Sequence, residues 1–235
     1  QEQVMVDDNV TVVIGADRGI GRAIFDGLRN AGSGEGSVVG LGDEIDFADP
    51  VAVAASFREI AARGTINRVV FCHVDESAFI PVPIIDMDEG AWDAAGERSL
   101  RSAVVTLQEA HRHIADGGRV MFVLPTVGAV GVAQLVPLCS AVEGMRVMAK
   151  AVARRWGARS ITVNTIEVEL SAFMLGDEPV GDRVLPAVAT LGASALPAGS
   201  ATQDVIGLIG MLSTDAGGAL TGALLVADRG TVMQP

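Results

Sequence analysis

Residues 10–21 read VTVVIGADRGIG, and no other stretch limits the possible folds as strongly. A run of β-branched residues, Val10–Ile14, predicts a short buried strand. Gly15, Gly19 and Gly21 then predict a tight turn, and an amphipathic helix from about Gly19 to Ala31 follows. Glycine lets a backbone pass close to another group, and a helix N-terminus offers free N–H groups and a favourable dipole to a pyrophosphate. Close helix-on-strand packing needs the same glycines, so the motif speaks for the fold before it speaks for a ligand.

The rest of the chain repeats the alternation. Further strands are expected at Ser37–Leu41, INRVVFCHV, Arg119–Leu124, SITVNTI and ALLVADRG. Helices are expected after Asp49–Pro50, over Trp92–Ile114, over PLCSAVEGMRVMAKAVARRWG and over ATQDVIGLIGMLST. A loop-and-helix region spans roughly Glu167–Ala201. The strands are apolar runs without half-buried alternation, which predicts a parallel sheet covered on both faces. GLGDEIDFADP is too short to hold a helix between the second strand and Pro50. No linker or internal repeat divides the sequence, so residues 1–235 read as a single α/β domain.

Charge excludes some partners. The net charge is −12 and no Lys/Arg cluster is visible, which disfavours nucleic acid and anionic membranes. Arg154, Arg155 and Arg159 read as the solvated face of a helix. Charged residues make up 20% of the chain, against the usual value of about 25%. The surplus apolar surface is expected to be buried between subunits. No run has the length of a membrane span, and the opening QEQVMVDDNV lacks the features of a signal peptide. Its start at Gln suggests a processed chain. Cys72 and Cys139 are expected to be free thiols in a reducing, cytoplasmic setting. No metal site is expected.

Several segments together resemble the short-chain dehydrogenase/reductase family, nearest in pattern to bacterial 3-oxoacyl-carrier-protein reductases. GADRGIG is similar to its glycine turn, with Ile14 where Thr is usual. DFAD at Asp46–Asp49 resembles its DVTD, whose first Asp holds the adenine. AVARRWGARSITVNTIEVE and ALTGALLVADRG resemble its later helix–strand segment and its terminal strand. The resemblance implies a single Rossmann-like, doubly wound sheet, shortened after the second strand. Gly15, Gly19, Ile20, Gly21 and Asp46 fall on dinucleotide-binding positions.

In that family a Tyr donates a proton, a Lys lowers the phenol's pKa, a Ser orients the carbonyl and an Asn holds a relay water. This chain has no tyrosine. The resemblance puts Tyr on Leu138, Lys on Val142, Ser on Pro125 and Asn on Ser99. Thr126 has a hydroxyl one place out of register, and Cys139 and Ser140 point away from the direction of Leu138. NNAG becomes Cys72–Asp75, PG becomes Val168–Glu169, and Arg229 interrupts the terminal glycines. Asp43 near the end of the second strand could take ribose hydroxyls. A catalytic role for His73 is disfavoured, because His111 and His113 lie on a distant helix. No catalytic residue is therefore expected in this chain, and its dinucleotide binding is expected to be absent or vestigial.

Three functions remain open on this reading. The first is a non-catalytic subunit paired with an active paralogue in a hetero-oligomer, for which a tetramer is expected, with self-association expected as well. The active chain would carry NAD or NADP and act on a hydroxyacyl or ketoacyl thioester. The resemblance implies pairing through Trp92–Ile114 and Leu138–Trp156, and again through Thr202–Thr214 and Ala223–Ala227. The second is a small-molecule sensor using an emptied apolar site around Leu138, Val142 and Pro125. The third is an enzyme of altered chemistry using His73, Asp75, Thr126 or Glu169.

Overall fold

The computed structural model describes residues 8–30, 36–178 and 193–233. The first unit is β1 (Asn9–Ile14) followed by α1 (Gly19–Asn30). Next come β2 (Ser37–Leu41) and α2 (Pro50–Ala61), with only turns between them, as the short connection requires. The Asp49 side chain caps α2 by accepting from the Val51 amide at 2.8 Å. β3 (Thr65–Phe71) leads through two 3-10 turns into α3 (Glu89–Trp92), a π turn at Asp93–Glu97 and α4 (Arg98–His113). β4 (Ile114–Pro125), α5 (Val127–Val130), α6 (Val136–Trp156), β5 (Thr162–Val168) and α7 (Leu170–Leu175) follow. α8 (Ala201–Ser213) and β6 (Leu224–Val226) close the described chain.

All six strands are parallel, in the order β2-β1-β3-β4-β5-β6. This is the expected α/β sheet. α1 packs with α8, and α2, α4 and α6 pack in a row, so the helices form two layers. Strand side chains such as Val12, Val13, Val70, Met121, Phe122 and Val163 have essentially no exposure, because helices cover both faces. Phe71 and Phe122 meet in the core with ring centroids 5.0 Å apart. Asn164 fastens the short edge strand by donating to the Leu220 carbonyl at 2.8 Å and accepting from the Ala223 amide at 3.0 Å.

Four boundaries differ from the sequence expectation. The helix expected over Trp92–Ile114 is broken by the π turn, and Ile114 belongs to β4. Helical spacing continues to Ile114, but its ψ of 139° is extended and it pairs with Ile66 of β3. Residues 115–118 then bulge out before regular pairing resumes at Arg119, and Gly117 takes φ +78° in that bulge. β3 ends at Phe71, so Cys72, His73 and Val74 leave the sheet at the mouth of the cleft. β5 runs on to Val168, which takes Glu167 out of the expected loop region. Only Leu224–Val226 of ALLVADRG is strand. Ala31, at the expected end of the first helix, lies outside the described residues, as does much of the region expected before Ala201.

The glycine turn owes its residues to packing. A Cβ on Gly21 would stand 2.0 Å from the Gly15 carbonyl oxygen, whereas a Cβ on Gly207 of α8 meets nothing within 4 Å. Gly21→Ala is therefore expected to destabilise the ligand-free chain by about 1–3 kcal/mol. Gly207→Ala is expected to stabilise it by roughly 0.5–1 kcal/mol. Urea denaturation reads both changes, and a neutral Gly21→Ala would contradict the packing role.

Candidate functional site

The glycine turn lies at the carboxyl end of the sheet, where α/β folds of this kind place ligands. Gly15 and Gly19 take φ of +80° and +49°. The amides of Gly15 and Ala16 both donate to the Leu41 carbonyl at 2.9 Å. Ile20 is fully buried and anchors α1. α7 lies across this turn. A Cβ on Gly19 would stand 2.3 Å from the Phe173 carbonyl oxygen and 2.8 Å from that of Met174. Arg18 pairs with Glu76, and its guanidinium lies 3.4 Å from the Val74 carbonyl on the opposite wall. Phe79 and Phe173 meet above, with centroids 6.0 Å apart. The space left, lined by Arg18, Cys72, Val74, Glu76, Phe79, Phe173 and Met174, is about 240 Å³.

The side expected to hold adenosine is bridged as well. Arg98 donates to Asp46 at 2.8 Å and to Asp75 at 2.9 Å, joining the β2 loop to the end of β3. Burial raises the Asp46 pKa, but the Ala48 amide and the Arg98 guanidinium outweigh it and hold the carboxyl below its usual range. Asp75 also accepts from the amide and hydroxyl of Ser77, at 3.1 and 2.6 Å. Ser99 accepts from the Asp75 amide at 3.1 Å and donates to the Ala95 carbonyl at 2.9 Å. The His73 ring packs against the buried Phe47, with centroids 4.7 Å apart. Burial, helped by the Arg18 charge, lowers the His73 pKa to about 4. Asp43 and Glu44 are exposed, and Glu44 folds back to accept from the Gly42 amide at 3.0 Å.

At the end of β4 the structure changes one expectation. Leu138 and Val142 have no exposure and Pro125 is buried, so they fill the space beneath α5 and wall no open pocket. The apolar site is packed with side chains. Thr126 is buried, and its hydroxyl has no hydrogen-bond partner among the described residues. Cys139 turns inward, its Sγ accepting from the Val132 amide at 3.3 Å and donating to the Val127 carbonyl at 3.5 Å. Ser140 is exposed. Both cysteines are free thiols, as expected.

Glu169 accepts from the Thr231 hydroxyl at the wall of a separate cavity of about 490 Å³. Arg229, with φ +57°, fastens that wall by bonding Asp204 at 2.6 Å and the Pro197 carbonyl at 2.9 Å. His73, Asp75, Thr126 and Glu169 are not hydrogen-bonded to one another among the described residues, although the Asp75 charge acts on His73. The described residues contain no cluster of three or more His, Cys, Asp or Glu able to hold a metal, and no helix long and apolar enough to cross a membrane. Sequence reasoning missed Arg18, Glu76, Arg98 and Phe173, which close the cleft. The one available signal was the pair of acidic residues, Asp75 and Glu76, placed just past the third strand.

A sequence profile of the family described as Enoyl-(Acyl carrier protein) reductase matches residues 35–232. D-threitol dehydrogenase of Mycolicibacterium smegmatis is 27% identical, over 96% of this chain and 93% of that protein. The 3-oxoacyl-[acyl-carrier-protein] reductase of Pseudomonas aeruginosa is 24% identical, over 95% of this chain and 97% of that protein. Among solved structures, a dehydrogenase/reductase from Sinorhizobium meliloti superimposes with TM-score 0.77 at 24% identity, covering 95% of this chain and 94% of that one. A short-chain dehydrogenase from Burkholderia cenocepacia in complex with NADP gives TM-score 0.76 at 22% identity, covering 96% and 98%. These two structures bear out the Rossmann-like fold.

The His73 setting has a consequence for pH. Its folded pKa of about 4 lies below the ordinary 6.5, so between those values the unfolded chain binds more protons. The stability contributed by neutral His73 is full above pH 6.5 and falls by up to about 3 kcal/mol as the pH drops towards 4. His73→Phe is expected to remove that part of the acid sensitivity. Urea titrations of both proteins at pH 7 and 4.5 check this, and equal acid losses would contradict it.

Proposed function

Because the chain belongs to the short-chain dehydrogenase/reductase family, we propose that it is a non-catalytic member that pairs with an active relative and stabilises it. The carrying observation is the chemistry at the end of β4. The chain has no tyrosine, and the positions that resemblance gives to the proton donor and its cation hold Leu138 and Val142, both fully buried. Pro125 stands where a hydroxyl would orient the carbonyl, and Ser99 where an Asn would hold a relay water. A hydride acceptor left without a proton donor for the developing alkoxide has no low-barrier route to product. A hydrocarbon wall beside it offers no stabilisation of the charge.

A dinucleotide supplies hydride in this family, and the residues at its implied site do not fit one in this arrangement. The Phe173 and Met174 carbonyls lie against Gly19, where N–H groups would face phosphate. The remaining 240 Å³ is smaller than the roughly 300–1,000 Å³ of sites that hold drug-sized ligands. Asp17, Asp43 and Glu44 surround the end of β2, so a 2′-phosphate there would meet like charge. Vestigial binding at Gly15, Gly19, Ile20, Gly21 and Asp46 would require α7 to move and Asp46 to leave Arg98. No reaction step is assigned to this chain.

The subunit reading draws further support from the exposed apolar side chains Val104 and Val147, on α4 and α6. These are the helices through which the family resemblance implies pairing. An active partner would supply Ser, Tyr, Lys and NAD or NADP, with an acyl thioester such as a hydroxyacyl- or ketoacyl-CoA as the proposed substrate class. Association needs buried area and shape, so the buried catalytic positions are free to become hydrocarbon. The sensor reading loses its basis, because Leu138, Val142 and Pro125 are packed.

Native mass spectrometry of the protein from its own cells tests the proposal. The expected result is a complex of mixed mass containing a dehydrogenase chain with tyrosine and lysine at the positions of Leu138 and Val142. Separated from that partner, this chain is expected to oxidise no NADH or NADPH with acetoacetyl-CoA. A pure homo-oligomer, or turnover by the separated chain, would contradict the proposal.

A further inference from the structure

The connection that carries the chain from β3 to α3 leaves its apolar side chains outside. Residues 80–85 read IPVPII, and Ile80, Pro81, Pro83, Ile84 and Ile85 are all exposed. Ile80 stands 63% exposed, Ile84 57% and Ile85 89%. Single exposed apolar residues are ordinary, but a contiguous run of them marks a surface that another molecule covers. The run is held in shape. Ala78 is buried at its base, and the Val82 amide donates to the Gln134 carbonyl at 2.9 Å. Pro83 takes φ −58° and ψ 137°, and the Asp86 amide closes the next turn by donating to the Pro83 carbonyl at 2.9 Å. Ile85 is thereby presented as a knob on a stiff strap, so little order has to be imposed when it binds. A block of negative charge follows directly. Residues 69–97 contain no Lys or Arg, and five of the twelve residues 86–97 are Asp or Glu. Asp75 and Glu76, before the strap, are taken up by Arg98 and Arg18. Asp86, Asp88, Glu89, Asp93 and Glu97 are exposed and have no ion-pair partner among the described residues.

We propose that this strap docks into an apolar pocket of a partner protein, with Ile85 as the anchor, and that Lys and Arg rim the pocket. The inference stands apart from the subunit reading and holds whether or not the chain catalyses. A protruding side chain needs a concave partner, and a few anchors of this kind carry most of the energy of an interface. Asp86, Asp88 and Glu89 lie within four residues of Ile85, and their unpaired carboxylates set the sign of the rim. They speed the encounter with a cationic surface and disfavour an acidic one. A second copy is disfavoured on the same ground. A twofold contact would set these carboxylates against themselves, inside the ~8 Å over which physiological salt screens charge. An anionic bilayer would meet the same repulsion, so the exposed isoleucines are not a lipid anchor.

Photo-cross-linking from the strap, in the protein's own cells, tests this. Ile85→p-benzoylphenylalanine places the reactive group at the anchor. Val51→p-benzoylphenylalanine is the control, because Val51 is 72% exposed on α2. The expected result is a discrete product from position 85 that position 51 does not give. Its contact peptide, mapped by mass spectrometry, should belong to a different protein and carry Lys or Arg beside the apolar contact. Adding Asp86→Lys/Glu89→Lys should lower the yield roughly tenfold. Both side chains are exposed, so the fold is kept, and Asp88 is left in place because it caps α3 by accepting from the Ala91 amide at 2.8 Å. The absence of a product, equal labelling from position 51, a product of two copies of this chain, a contact peptide without cations, or a yield unmoved by charge reversal would each overturn the proposal. None of these bears on the subunit reading, which fails separately if the native complex contains no second chain.

Discussion

The contact between the α7 backbone and the glycine turn is the constraint on which the rest of the site depends. The Phe173 carbonyl lies where the Cβ of any other residue at Gly19 would be. Seating α7 there brings Phe173 against Phe79 and the Gly176 segment against α1. The cleft that opens at the carboxyl ends of the strands is thereby narrowed by the chain's own backbone to a space of about 240 Å³. The glycines that resemble a pyrophosphate turn also let the α7 backbone approach closely.

Packing, and not charge, carries most of this closure. The Arg98 bridge between Asp46 and Asp75 is half exposed, and pairs of that kind contribute about 0–1 kcal/mol each. Arg18–Glu76 is more exposed still. Such pairs set which loops lie together without holding them there. The part-buried His73 against Phe47, and the fully buried hydrocarbon of Leu138 and Val142, cannot be withdrawn without opening a cavity. A ligand entering the cleft would have to displace well-packed groups, where an open site would require it to displace only water.

The sheet was legible in the sequence because its strands are apolar runs and its turns carry glycine. Gly15, Gly19 and Gly21 pointed to the right corner of the fold, and the short GLGDEIDFADP segment foretold the missing helix. Boundaries set by tertiary pairing were not legible. Ile114 continues a helical period yet pairs with Ile66, and Gly117 is the only local trace of the bulge that follows. At the site, the residue types at Leu138, Val142 and Pro125 could be read, but not whether hydrocarbon at those positions packs or leaves a hole. Closure by Arg98, Phe173 and Glu76 joins residues far apart in sequence, and neither period nor motif carries that information.

The account stands most directly on whether the closed cleft excludes a dinucleotide. Titration of the isolated chain with NADH and with NADPH, followed by nicotinamide fluorescence, measures this. The closed arrangement predicts no saturable change into the millimolar range for either. Saturation in the micromolar range would mean that α7 leaves the glycine turn readily, and would contradict the account.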